Sequence, residues 1–197
     1  MHYRIILLVF FLLLFTINVF AENKLGDKLM KEINTQYPEA YIIKKEDFSP
    51  YVLKRAKNIQ TLISGDFDCN NMRDDVLQIY HGGAIKLIAI HRVEGGKYKI
   101  IEVSKTGGWT LDSLKGKYEM IVSLNKKGQR REFYCDCESD DKNEQRLCQK
   151  YADKKSSRGC SIKLQCDAIE WGYIGKGTEL FYFDKKNNRY QSVITAD

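Results

Sequence analysis

Three histidines and two prolines are all that these 197 residues contain, and no Gly-x-Ser-x-Gly step occurs. The strained turn that exposes a hydrolase serine therefore has no candidate in this chain. Past the first 21 residues only His81 and His91 remain. The carboxylate pairs Asp74-Asp75 and Asp140-Asp141 are adjacent, so in regular structure they diverge and make no acid–base pair. With these role sets missing, the chain is not expected to be an enzyme. A membrane span is missing too. The longest apolar run, Ile5 to Phe20, has about 16 residues, where a spanning helix needs ~20.

That run has the form of a signal peptide. His2 and Arg4 precede it, Val19-x-Ala21 ends it, and polar Glu22-Asn23-Lys24 follows at once. Residues 1–21 are thus expected to be removed, leaving a mature chain with no stable membrane span. No cysteine follows the cut, which argues against a lipoprotein, and no Asn-x-Ser/Thr sequon occurs, as suits a bacterial source. The expected location is periplasmic or secreted. The formal charge of +6 becomes +5 once Arg4 leaves. Its basic residues are scattered, with small groups at Lys126-Lys127 and Arg130-Arg131. Export and this scatter exclude a nucleic-acid partner and leave an envelope protein or glycan, including an anionic envelope polymer.

What the mature chain does have is cysteine. Cys69, Cys135, Cys137, Cys148, Cys160 and Cys166 all survive signal removal. An even count in an exported chain reads as a disulfide framework, and six allow 15 connectivities. Cys135 and Cys137, one residue apart, are expected to bond to different partners. Five of the six lie between 126 and 166, so parity ties that segment by one bridge to Cys69. A zinc tetrad of Cys135, Cys137, Cys148 and Cys160 is the rival, weakened by the lack of a second close pair.

Periodicity predicts a β-rich α+β fold in one mature domain, 22–197. Leu25, Leu29, Ile33 and Tyr37 recur at helical spacing up to Pro38, and Ser49-Pro50 opens a second short helix, within an N-terminal part covering 22–58. Strands follow over 59–125: Ile59–Ser64, Asp75–Tyr80, Ala84–Val93 and Lys97–Ser104, then Tyr118–Leu124. Gly95-Gly96 and His81-Gly82-Gly83 supply hairpin turns. A polar Cys-rich insertion fills 126–166, with a helix expected from Ser139 to Tyr151, capped by Ser139. A second antiparallel meander, 167–197, runs Asp167–Ile174, Thr178–Asp184 and Arg189–Thr195, its aromatics Trp171, Tyr173, Phe181, Phe183 and Tyr190 reading as core.

The stretch with chemistry in it joins the first two strands: Gly65-Asp66-Phe67-Asp68-Cys69-Asn70-Asn71-Met72-Arg73-Asp74-Asp75. Asp66, Asp68 and Asn70 alternate and Asp74 follows, which can aim several oxygens at one hard cation. The same residues can instead bond to backbone amides in a metal-free turn. An EF-hand is excluded because its twelfth position is Leu77 rather than a bidentate glutamate.

Gly65-Asp66-Phe67-Asp68 with Arg73-Asp74-Asp75-Val76-Leu77 resembles the FG-GAP/VCBS repeat of integrin-type β-propellers. It is more similar still to small exported bacterial proteins that carry one copy of that motif. Tyr37-Pro38, Asp47-Phe48-Ser49-Pro50, Asp167–Tyr173, Phe181–Asp184 and the closing Asp197 extend the resemblance over most of the mature chain. It implies propeller-blade-like meanders and a weak Ca²⁺ site, with Asp66, Asp68, Asn70 and Asp74 as side-chain ligands and Met72 as a carbonyl ligand. Asn70 replaces an aspartate of the family pattern, Asn71 its glycine, and Cys69 stands where no cysteine is usual. A non-catalytic binding or structural module is the function expected. A small secreted hydrolase, or an inhibitor of an envelope hydrolase, is the alternative.

Overall fold

The computed structural model describes residues 26–56 and 58–195. The expected signal peptide, Leu25 and Asp197 lie outside the described residues. Among the described residues, no helix is long and apolar enough to cross a membrane. The architecture is a β-rich α+β fold with antiparallel sheets, few helices and three disulfides.

The elements stack in four layers. Helix α1 (Asp27–Gln36) lies outermost, its Leu29 and Ile33 buried together with Tyr37 just beyond its end. Ten residues make a marginal helix alone, so the packing of this stripe, worth about 1.5–3 kcal/mol per buried side chain, is what stabilises it. The stripe packs on Leu77, Ile79, Ile88 and Ile90, one face of the first sheet. That sheet orders β1 (Tyr41–Ile42), β3 (Asp74–His81), β4 (Ala84–Val93) and β5 (Lys97–Gly107). Strand β2 (Leu62–Gly65) also pairs with β3, through Gly65↔Asp74, while β1 pairs further along, through Tyr41↔Tyr80. The loop 66–73 therefore links two directly paired strands, as the apolar, β-branched residues on either side of it predict.

The other face of the first sheet, with Ile63, Val76, Ile85, Leu87 and Ala89, meets the second sheet through Val122, Ile169, Trp171 and Phe181. The second sheet orders β11 (Arg189–Thr195), β10 (Thr178–Asp184), β9 (Ala168–Tyr173) and β6 (Met120–Asn125). Strand β6 thus joins the C-terminal meander rather than extending the first one. At Gly172 a Cβ would sit 2.8 Å from the Gly177 carbonyl oxygen, so the tight β9–β10 turn requires glycine. Short α2 (Pro50–Arg55) opens as expected, Ser49 Oγ accepting from the Val52 amide at 3.3 Å, and α3 (Leu111–Leu114) follows β5.

The fourth layer is the insertion. Strands β7 (Arg130–Tyr134) and β8 (Gly159–Lys163) pair antiparallel and carry helix α4 (Lys142–Tyr151) between them. Phe133, Ile162 and Leu164 pack on Ala168, Leu180, Tyr182 and Val193, the outer face of the second sheet. This apolar contact, as well as the bridges, orders the segment. The cap of α4 is Asp141 and not Ser139. The Asp141 carboxylate accepts from the Asn143 and Glu144 amides at 2.6 and 3.2 Å, while Ser139 Oγ accepts from the Asp141 amide one turn earlier. An ionised acceptor at the positive end of the helix outcompetes a hydroxyl.

Glu170 ties three elements together, accepting from Thr178 Oγ1 at 2.6 Å, Asn125 Nδ2 at 3.1 Å and Arg131 at 2.6 Å. Burial by itself would raise its pKa, but the bonds from Thr178 and Asn125 and the Arg131 charge outweigh it, and the carboxyl sits below its ordinary 4.5. Because the folded value is the lower one, this stabilisation is complete above about pH 4.5 and is lost as pH falls through the folded value. Glu170→Gln should cost about 2 kcal/mol at pH 7, a gap that narrows below about pH 4. Urea midpoints at pH 7, 5 and 3 check this, and a gap independent of pH would refute it.

Candidate functional site

The loop 66–73 begins at Gly65, where a Cβ would stand 2.5 Å from Asp167 Oδ2. Only glycine allows that approach, and the contact it permits is a two-way clasp. The Asp66 amide donates to Asp167 Oδ2 at 3.2 Å, and the Asp167 amide donates to the Asp66 carbonyl at 3.1 Å. Asp167 also accepts from the Lys127 amide and from Lys126 Nζ. Burial opposes ionisation here too, and these bonds overcome it, holding the carboxyl below the usual range.

Inside the loop, Asp68 Oδ1 accepts from the Asn70 amide at 3.1 Å and Asn70 Oδ1 from the Met72 amide at 2.7 Å. These are successive Asx turns. They carry the chain through Cys69 and Asn71, both with positive φ of 60° and 65°. Asn71 takes this left-handed position without a glycine, as asparagine can. The Asn70 side-chain Nδ2 donates to Asp68 Oδ2 and to the Arg92 carbonyl, anchoring the loop to the end of β4. Phe67, fully buried, pins the loop into the core between the sheets.

Asp74, fully buried, sits behind the loop. Its Oδ2 accepts from the Phe67 amide at 3.1 Å, and its Oδ1 from the Arg92 amide at 2.9 Å. His91, 2% exposed, brings Nδ1 to 3.1 Å from Asp74 Oδ2 and 3.2 Å from Asp68 Oδ2. Its Nε2 lies 3.1 Å from the Tyr190 hydroxyl, and the rings of Phe183 and Tyr190 flank it. One neutral tautomer satisfies the whole chain: Nδ1–H donates to the carboxylates and Tyr190 O–H donates to Nε2. Burial, with the charges of Asp74 and Asp68, pushes the Tyr190 hydroxyl well above its ordinary pKa, so it keeps that proton.

The sequence-predicted oxygens do converge in part. Asp68 and Asp74 come together with His91, their ligand atoms within 4.8 Å of one another, and this group could hold a metal ion. Two observations suit a cation. Asp66 Oδ1 is buried with no hydrogen-bond partner, and the Asp68 carboxyl is pushed up by burial and then by Asp74, with Asp66 adding to it. Two others suit the metal-free turn: Asn70 Oδ1 is engaged by the Met72 amide, and both Asp74 oxygens receive backbone N–H groups. A carboxylate–imidazole set is also softer than the all-oxygen shell that Ca²⁺ prefers.

No family model, curated protein or solved structure matches this chain.

The cysteines close the site. Cys69 bonds to Cys166, Cys135 to Cys160 and Cys137 to Cys148. The parity argument holds: one bridge fastens the acidic loop to the insertion, and Cys135 and Cys137 take different partners. Lys185 Nζ adds a bond to the Cys69 carbonyl at 3.1 Å. His81 stands at the β3–β4 turn, edge-on to Tyr37, and is not part of this cluster.

Proposed function

We propose that this chain is an exported, non-catalytic binding module of the bacterial envelope, whose acidic loop is a structural latch and whose Cys-rich insertion carries recognition. In this reading the loop is a degenerate FG-GAP-type calcium loop, short of one carboxylate, and the second sheet is its propeller-blade-like support. The observation that carries the reading is the contrast between the two regions. His91 and Asp74 are buried and committed to structural bonds, and among the described residues neither histidine lines the cavity of about 690 Å³ or the one of about 320 Å³. The larger of these is walled by the insertion on one side and by the second sheet on the other. Variable loops on a rigid scaffold are where recognition is usually placed.

The oxidised chain, immobilised and offered envelope extract of the producing cell, should retain a component that a control protein of equal charge does not. Retention of nothing would overturn the reading. Deleting the insertion is a poor control, because it would bare Leu180, Tyr182 and Val193. One observation favours the hydrolase alternative: Asp74, His91 and Tyr190 stand in acid–imidazole–hydroxyl order. Turnover of ester, glycoside or peptide substrates that is lost in His91→Gln would establish it.

A further inference from the structure

The larger cavity lies where the end of α4, the β8 strand with residues up to Cys166, and the β10–β11 hairpin meet. Its charge is one-sided. Lys150, Lys163, Lys185 and Lys186 line it, against the single acid Asp184. That carboxylate is spent within its own turn, accepting from the Lys186 and Asn187 amides, from Asn187 Nδ2 at 2.8 Å and from Gln191 Nε2 at 2.6 Å. None of the four lysines pairs with a carboxylate within 4.0 Å among the described residues. Four cations against one carboxylate leave this concave wall net positive, which raises the local potential and favours an anionic ligand.

The neutral lining narrows the class. The hydroxyls of Tyr151 and Tyr182 meet at 2.9 Å, and Tyr182 donates onward to Gln191 Oε1 at 3.2 Å. Ile162, Leu164 and Tyr182 are already buried in the insertion core. The wall therefore offers a ligand ammonium, amide and hydroxyl groups, which complement a hydrated sugar chain better than peptide side chains that need apolar pockets. Among the described residues, no arginine lines the cavity. Lysine ammoniums are point charges without the fork that grips one planar anion in two places, and so they suit charges spaced along a flexible polymer.

We propose that this cavity binds an acidic polysaccharide, a sugar chain bearing carboxylate, sulfate or phosphodiester groups. The proposal rests on the binding-module reading and adds its site and its ligand class. Lys163 and Lys186 are exposed and hold no side-chain bond within the described structure, so they can be changed without touching the fold. The test is calorimetry on the oxidised full chain with polygalacturonate and heparin as acidic polysaccharides, dextran as the neutral one, and poly-glutamate as the acidic polypeptide. Both acidic polysaccharides should bind, more weakly at higher salt, and Lys163→Gln/Lys186→Gln should weaken them about tenfold at unchanged melting temperature. The exposed pair Lys31→Gln/Lys54→Gln removes the same charge elsewhere and should change affinity less than twofold.

Equal weakening by both double variants would overturn the proposal, as would binding of neither acidic polysaccharide. Poly-glutamate binding as tightly, with the same dependence on Lys163 and Lys186, would also overturn it. If the chain retains an envelope component and the cavity variant retains it equally, the proposal fails while the binding-module reading stands.

Discussion

Replacing Cys69 and Cys166 together by serine should cost the chain about 4 kcal/mol and lower its melting temperature by roughly 10 °C. The magnitude follows from loop closure. The bridge joins residues 97 apart, whereas Cys137–Cys148 joins residues 11 apart. Restricting the unfolded chain over the longer span is worth about 2 kcal/mol more. The double variant is the right one, because a single serine would leave a thiol free to reshuffle the other bridges.

Calcium provides the comparison. A site of the weak extracellular class, with Kd of ~10⁻³ M, adds only about 1 kcal/mol at about 5 mM Ca²⁺. If the disulfide has taken over the latch, Cys69→Ser/Cys166→Ser should shift the melting temperature several-fold more than EDTA does. The reverse order would mean that a metal holds the loop, with the bridge secondary. Differential scanning fluorimetry of the two proteins in Ca²⁺ and in EDTA distinguishes the outcomes. In both, the Asp66–Asp167 clasp remains, so the loop need not detach entirely.

How much of this was legible in the sequence differs by element. The α1 stripe of Leu29, Ile33 and Tyr37, the glycine turns and the strands on either side of the acidic loop follow from local periodicity, and the structure has them. Strands β7 and β8 were not legible. Arg130-Arg131-Glu132 shows no alternation, because β7 buries Phe133 alone; β8 alternates through Cys160 and Ile162, but over five residues set in a polar segment. The second sheet needed a cover on its outer face, and Leu180 and Tyr182, alternating with Phe181 and Phe183, carried that hint. A strand apolar on both faces must be covered on both.

His91 was missed for a different reason. Loop positions were counted along the chain, and this residue reaches the loop across the sheet. A signal was available. The turn pairing His81↔Ala84, followed back along both strands, sets Asp75 opposite Ile90 and so brings position 91 beside Asp74. A histidine closing the apolar run of Leu87 to Ile90 needed a buried partner, and that register names it.

Asp74 is where the latch is most exposed to mutation, and Asp74→Ala should destabilise the chain by about 3–5 kcal/mol. The residue is fully buried, and removing it orphans the amides of Phe67 and Arg92 and leaves His91 Nδ1 without its nearer acceptor. Asp74→Asn should recover little, with a loss of about 2–4 kcal/mol. Each carboxylate oxygen takes a backbone N–H, so whichever side receives the amide nitrogen sets donor against donor. Asp68 gives the contrast. It is less buried, and its carboxyl is already pushed up by burial and by Asp74, so Asp68→Asn relieves a repulsion and keeps the Asx turn through Oδ1, while giving up the oxygen that Oδ2 presents to Asn70 Nδ2 and His91 Nδ1. Its net effect should stay within about 1 kcal/mol. A cation held between the two carboxylates would make both substitutions costly, and would make both losses shrink when wild type and variants are compared in EDTA. Denaturant midpoints with and without chelator, read beside amide exchange at Phe67 and Arg92, separate a hydrogen-bonded latch from a metal centre.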